Sequence, residues 1–113
     1  MKGRTIINTH TAEFGAYDLE GPVQEDMSIL YLSYTRESRQ GAYMMRLQPG
    51  AETIAHTHKR REEFIVLEGD LIEPDGTRLG PGDYVIMEPG THHNSRTENG
   101  CVLIGFDWTR ETG

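Results

Sequence analysis

Cysteine is nearly absent from this chain, which has one such residue in 113. A single thiol excludes an intramolecular disulfide framework, so we expect a reducing, cytoplasmic setting. The N-terminal segment has no apolar stretch of signal-peptide length, which agrees with that expectation. No apolar run approaches the roughly 20 residues needed to cross a bilayer, so we expect no membrane partner.

Basic residues are also scarce. Lys and Arg total 11 against 18 Asp and Glu, which gives a formal net charge of −7. Binding to a nucleic-acid backbone requires a basic stripe, and the short cluster Lys59, Arg60 and Arg61 does not form one. We therefore expect no nucleic-acid partner and interpret this cluster as a solvated turn.

A helical apolar period is missing too. No window of about a dozen residues shows apolar positions repeating every 3.6 residues. Instead, 13 glycines and 5 prolines separate short apolar runs. This pattern favours an all-β, antiparallel sandwich or barrel. The strands are expected at 28–34, 42–47, 53–57, 63–68, 70–73, 77–79, 83–87, 93–96 and 102–108.

A chain of this length fits one domain with a hydrophobic core. We expect residues 1–26 to form an N-terminal arm, either as an edge strand or as a strand exchanged with a partner. Residues 27–113 would then form the β-barrel domain.

The richest stretch in candidate metal ligands runs from Gly50 to Gly69. Residues i and i+2 of a strand share a face, so the imidazoles of His56 and His58 would converge on one point. On the next strand Glu62 shares its face with Phe64 and Val66. An unpaired carboxylate facing a core would be costly, and a metal ion is one of the few partners that makes it tolerable.

A second stretch, from Gly82 to Thr97, completes a pair of motifs that resembles the cupin family. The first motif, G-x5-H-x-H-x3/4-E-x6-G, is matched at every position. The second, G-x5-P-x-G-x2-H-x3-N, is matched in part, because Glu88 replaces its proline and Thr97 its asparagine. The matching positions are Gly50, His56, His58, Glu62, Gly69, Gly82, Gly90 and His93.

Several longer segments are similar to the cupin domain of ChrR-type anti-sigma factors, and more distantly to acetylacetone-dioxygenase-like cupins. These segments are 45–50, 62–69, 89–93 and 95–101. The resemblance implies a single RmlC-like cupin barrel, also called a jelly roll or double-stranded β-helix. It also implies a homodimer.

The resemblance further implies a metal site made by His56, His58, Glu62 and His93. Three imidazoles and one carboxylate suit a divalent transition metal, and this ligand set does not distinguish Zn, Fe, Mn, Ni and Co. Neighbouring His92 should point the other way by strand parity, and Cys101 should be a buried structural thiol. Candidates for the pocket lining are Met45, Phe64, Val66, Tyr84, Ile86 and Phe106, and for several of them the sequence leaves open which face of the strand points inward.

Three functions fit such a site. The first is a metal-dependent enzyme acting on a small organic molecule, as a dioxygenase-like oxidoreductase, an isomerase or a lyase. The second is a non-catalytic, metal-dependent module that binds or senses a small ligand. These residues include no zinc-binding, sigma-contacting domain, so anti-sigma activity itself is not expected. In the third, the metal only stabilises the fold.

Overall fold

The computed structural model describes residues 2–108. Its described residues contain ten strands and no helix, so the predicted all-β class is confirmed. The strands are β1 (Gly15–Tyr17), β2 (Gln24–Tyr31), β3 (Gly41–Leu47), β4 (His56–Thr57), β5 (Glu62–Gly69), β6 (Leu71–Ile72), β7 (Arg78–Leu79), β8 (Tyr84–Met87), β9 (His92–His93) and β10 (Cys101–Asp107).

Six of these strands form the main sheet, in the order β1-β2-β3-β10-β5-β8. The pairs are antiparallel, and β10 lies between β3 and β5. The burial pattern along β10 alternates, with Cys101, Leu103 and Gly105 buried and the residues between them partly exposed. One face of the sheet therefore packs on the core.

A second layer is built from the short strands, with β4 paired to β9 and β6 paired to β7. An isolated bridge between Ile72 and Arg96 links the two pairs. The core cluster contains Phe64 and Leu103 of the main sheet together with Leu71 of the second layer. The two layers thus pack against each other, as in a sandwich.

The first 26 residues do not stand apart from the main sheet. They contain β1, which pairs antiparallel with β2 at the edge of the sheet, and the beginning of β2 itself. Tyr17 of β1 is buried in the core cluster. The boundary between arm and domain remains a prediction.

Candidate metal centre

The pairing of β4 with β9 brings histidines from two distant segments together. His56 lies directly opposite His93 in this antiparallel pair. Backbone bonds continue the contact beyond the strands, since the amide of His58 donates to the carbonyl of Thr91 at 2.8 Å. The amide of Gly90 donates in return to the carbonyl of His58 at 2.7 Å, and Gly90 has a φ of 95°, which favours glycine.

The three imidazoles form one compact cluster. Their ring centroids are 4.8 Å apart for His56 and His58, 5.0 Å for His56 and His93, and 4.8 Å for His58 and His93. One ligand atom from each lies within 4.8 Å of the other two. His58 and His93 are buried, and His56 is half-buried.

This geometry fits a metal ion. Nε2 of His58 lies 2.8 Å from Nε2 of His93. Two nitrogens bound to one ion at about 2.1 Å each lie about 3 Å apart when the bonds are at right angles. The spacing of these nitrogens is thus close to that of two ligands on one ion.

Two of the imidazoles, those of His56 and His93, donate a hydrogen bond from Nδ1 to an acceptor outside the cluster. Nδ1 of His56 donates to the carbonyl oxygen of Ile54 at 2.8 Å, because a carbonyl can only accept. Nδ1 of His93 donates to Oε1 of Glu73 at 2.7 Å, and Ser95 donates its hydroxyl to the other oxygen of Glu73. Both imidazoles are therefore left with the Nε2 lone pair for a ligand, the arrangement usual for metal-binding histidines.

The surroundings of His58 disfavour its protonation. Burial, together with the neighbouring His56 and His93, lowers the pKa of His58 to about 4. The His58 imidazole is therefore neutral at neutral pH, which is the form that binds a metal.

Glu62, the fourth predicted ligand, stands beside the imidazoles. Its Oε1 lies 3.6 Å from Nε2 of His58. Its Oε2 accepts a hydrogen bond from the hydroxyl of Tyr43 at 2.8 Å, and that hydroxyl also lies 3.2 Å from Oδ1 of Asp107. Oε1 is thus the oxygen of Glu62 that faces the cluster.

Glu62 and Asp107 form a half-buried carboxyl pair in contact with each other. Burial raises the pKa of Glu62. Burial, followed by repulsion from Glu62, raises the pKa of Asp107 to about 8. The pair therefore tends to keep a proton at neutral pH when no cation is near. A divalent ion beside Glu62 would favour the release of that proton.

Two cavities that share lining residues reach the cluster. An inner hollow of about 60 Å³ is lined by His56, His93 and Glu62 together with apolar residues such as Met45 and Phe64. An outer cleft of about 280 Å³ shares His56, Glu62 and Asp107 with the hollow and also contacts His58. The site is thus a small interior space that continues into a wider surface cleft.

Among the predicted lining residues, Met45 and Phe64 border the hollow. The expectation was wrong for Tyr84 and Ile86, which are 52% and 48% exposed. Both point away from the core because they alternate on β8 with the half-buried Val85 and Met87.

The other sequence expectations concern His92 and Cys101. His92 is exposed and its Nδ1 lies 2.7 Å from the Thr57 hydroxyl, so it points away from the cluster as predicted. Cys101 is buried and forms no disulfide, and burial raises the pKa of its thiol to about 12.

Sequence reasoning missed Glu73 and Asp107. Neither lies in a motif, and each reaches the site only through pairing of strands that are far apart in sequence. Asp107 is brought opposite Glu62 by the register of β10 and β5, and Glu73 follows β6, which is bridged to the chain beyond β9.

Comparison with known proteins identifies the family. A family model described as the ChrR cupin-like domain matches residues 2–109. The chain belongs to this cupin family. The cupin fold predicted from the paired motifs is therefore confirmed, as is the similarity to ChrR. A search of curated proteins finds no match for this cupin.

Solved structures give the same fold. An RmlC-like cupin from Shewanella frigidimarina matches with a TM-score of 0.73 and 22% identity, over 96% of this cupin and 94% of that chain. The polyketide cyclase RemF from Streptomyces resistomycificus matches with a TM-score of 0.77 and 18% identity, over 97% of this cupin and 82% of that chain.

The complex of SigE with the anti-sigma ChrR from Rhodobacter sphaeroides also matches, with a TM-score of 0.72 and 16% identity. The match covers 89% of this cupin and 52% of the ChrR-complex chain. At these identities the likeness shows the fold alone. The described residues contain no helix long and apolar enough to span a membrane.

Proposed function

We propose that this cupin binds one divalent transition metal through His56, His58, His93 and Glu62, and acts on a small organic molecule. The observation that carries the proposal is the convergence of three imidazoles at a hollow that opens into a cleft. The reaction class is a dioxygenase-like oxidation, an isomerisation or a lyase reaction. Zn, Fe, Mn, Ni and Co all suit the ligand set.

The bound ion would supply Lewis acidity to an oxygen of the ligand. The protein's own residues supply the rest of the site. The apolar side chains of Met45, Phe64 and Leu103 line the hollow and limit its water content. Asp107 borders both cavities, where its carboxyl group can exchange a proton with a bound molecule.

A 1,3-diketone is the first substrate class to test, because it can chelate a metal and can enolise. The test is turnover or O2 consumption by protein reconstituted with each metal in turn, with His58→Ala as the inactive comparison. Absence of turnover with every metal and a broad panel of diketones and keto acids would contradict the enzymatic proposal.

A second candidate is a metal-dependent module that binds or senses a small ligand without catalysis. The match to the ChrR cupin-like domain favours it, because a structural neighbour is a sigma factor and anti-sigma complex. A metabolite that is retained unchanged at the metal through purification would support sensing. Product formation from the same molecule would support the enzyme.

We also propose a homodimer. The outer face of the main sheet exposes Leu67, Tyr84 and Ile86, which are 37%, 52% and 48% exposed. Apolar side chains clustered on one exposed sheet face are typical of an interaction surface. Size-exclusion chromatography with light scattering tests this, and a monomer mass at micromolar concentration would contradict it. The cytoplasmic location and the lack of a nucleic-acid partner stay predictions.

A further inference from the structure

Cationic side chains gather at the outer cleft in a chain that is otherwise acidic. The net charge is −7 and Lys plus Arg total 11, yet five of these residues line the outer cleft, which also contacts His56 and His58. They are Arg36, Arg39, Lys59, Arg60 and Arg61. The turn between β4 and β5, interpreted from sequence as merely solvated, therefore borders the candidate metal centre.

Three of these cations are available to a ligand. Arg36 is already paired with Asp18 at 2.7 Å, and Arg61 with Glu63 at 2.8 Å. Arg39, Lys59 and Arg60 are exposed and form no ion pair with any residue between 2 and 108. We name these three residues the basic rim.

The interior of the site lacks these cations. The inner hollow is lined by apolar side chains and by Glu20, Glu62 and Asp107, and none of the five cations borders it. The same three carboxyl groups also line the outer cleft. The volume of the hollow is about 60 Å³, against about 280 Å³ for the outer cleft. A ligand larger than the hollow must extend into the cleft, where its outer end meets the basic rim.

We propose that this cupin takes a small organic anion, with a chelating carbonyl or hydroxyl oxygen at the imidazole cluster and a carboxylate at the basic rim. This inference rests on the proposed function and narrows its ligand class. The rim places positive charge at an exposed part of the cleft, where a carboxylate can remain partly hydrated. It also draws anions towards the mouth of the site in spite of the protein's negative net charge.

The test uses two probes that share one chelating group. Pentane-2,4-dione is neutral, and 4,6-dioxoheptanoate carries the same diketone with a carboxylate on a short arm. Calorimetric titration of cobalt-loaded protein, followed also by the cobalt absorption spectrum, measures the affinity of each. We expect the carboxylate probe to bind about fivefold more tightly, the effect of an exposed ion pair. Added salt should reduce this preference.

Two double variants with the same change in net charge separate local recognition from long-range attraction. Lys59→Gln with Arg60→Gln removes two cations of the rim. Lys2→Gln with Arg78→Gln removes two exposed cations that line none of the described cavities at the site. The preference for the carboxylate probe should disappear in the first protein and persist in the second.

Equal affinities of the two probes for the wild-type protein would overturn the inference. A preference that survives the loss of Lys59 and Arg60, or that falls equally in both double variants, would overturn it as well. In each of these cases the metal still binds and the cobalt spectrum still responds, so the proposed function stands. A wild-type protein that takes up no cobalt would instead remove the proposed function and this inference together.

Discussion

At the scale of single residues, Glu73 is the side chain that most directly orients a ligand. It accepts from Nδ1 of His93 at 2.7 Å and is itself held by the hydroxyl of Ser95. A carboxylate behind an imidazole fixes the tautomer and raises the basicity of the nitrogen that faces the metal. Sequence patterns did not reveal it, because nothing local marks Glu73 as a partner of a residue 20 positions away.

We predict that Glu73→Gln weakens metal binding by about tenfold to a hundredfold. The amide keeps the shape of the side chain but loses its charge. Competition titration of zinc against a chelator measures the effect, with exposed Glu25→Gln as the control for a lost carboxylate elsewhere. Equal zinc affinities for the two variants would show that Glu73 has no role in the site.

Asp107 gives a prediction about pH. Its pKa in the fold is raised from 3.8 to about 8, so its contribution to stability is fully present below about pH 4 and is lost as pH rises towards 8. In the metal-free protein the substitution Asp107→Asn removes this pH-dependent loss of stability, because the amide does not ionise. The amide oxygen can still accept a hydrogen bond from the hydroxyl of Tyr43.

The Asp107→Asn variant should therefore exceed the wild type in stability by about 1 kcal/mol or more near pH 8, and by much less near pH 4. Urea denaturation at several pH values measures the difference, with Asp26→Asn as the control. The lowered pKa of His58 has the opposite pH dependence, because it reduces the stability of the fold as pH falls from 6.5 to about 4. The wild type and Asp107→Asn share this effect, so it does not change the difference between them. A stability difference that does not change with pH would contradict the raised pKa.

At the scale of elements, the strands were predictable because glycine and proline separate short alternating runs. The segment 102–108 expected as a strand corresponds to β10 (Cys101–Asp107), and 42–47 corresponds to β3 (Gly41–Leu47). The expected strand at 53–57 reduces to the two residues of β4, because residues 53–55 join no ladder and only Glu52, just before them, makes an isolated bridge. The pairing of β4 with β9 follows from tertiary packing, which local periodicity does not encode.

Strand β10 also contains Gly105, which leaves space for the side chain of Tyr43 on β3. Gly105 lies opposite Tyr43, and a Cβ there would come within 2.5 Å of Cζ in the Tyr43 ring. That ring bears the hydroxyl that holds Glu62. The central strand of the main sheet thus leaves space for a group of the site.

We predict that Gly105→Ala lowers the free energy of unfolding by about 1 to 3 kcal/mol, as overpacking of a core does, and also weakens metal binding. Gly80→Ala is the matched control, since a Cβ at Gly80 meets nothing within 4 Å. Urea denaturation and zinc titration measure both effects. Similar unfolding midpoints for the two variants would refute the packing argument.

At the scale of the whole molecule, the apolar core adjoins the metal centre. Phe64 and Leu103 belong to the core cluster and also line the hollow, and their burial, like that of Val66, is apolar and needs no metal ligand. The fold is therefore expected to form without metal, and metal binding should add stability by mass action. Folding without metal would distinguish this metal centre from a purely structural metal site, whose loss unfolds the protein.

We predict that chelation leaves a folded protein with a lower melting temperature. Zinc at about a hundredfold above its Kd should restore about 2.7 kcal/mol. Near-ultraviolet circular dichroism and thermal unfolding, recorded with and without chelator, provide the measurement. Loss of the native signal on chelation at 25 °C would favour the purely structural metal.

The most direct test of the metal centre is the metal content of two neighbouring variants, His93→Ala and His92→Ala. His93 lies in the buried imidazole cluster, and His92 lies beside it on β9 with its side chain exposed. After reconstitution with zinc and desalting, elemental analysis should find about one ion per chain in the wild type and in His92→Ala. It should find far less in a folded His93→Ala. Equal metal in the two variants would contradict the account.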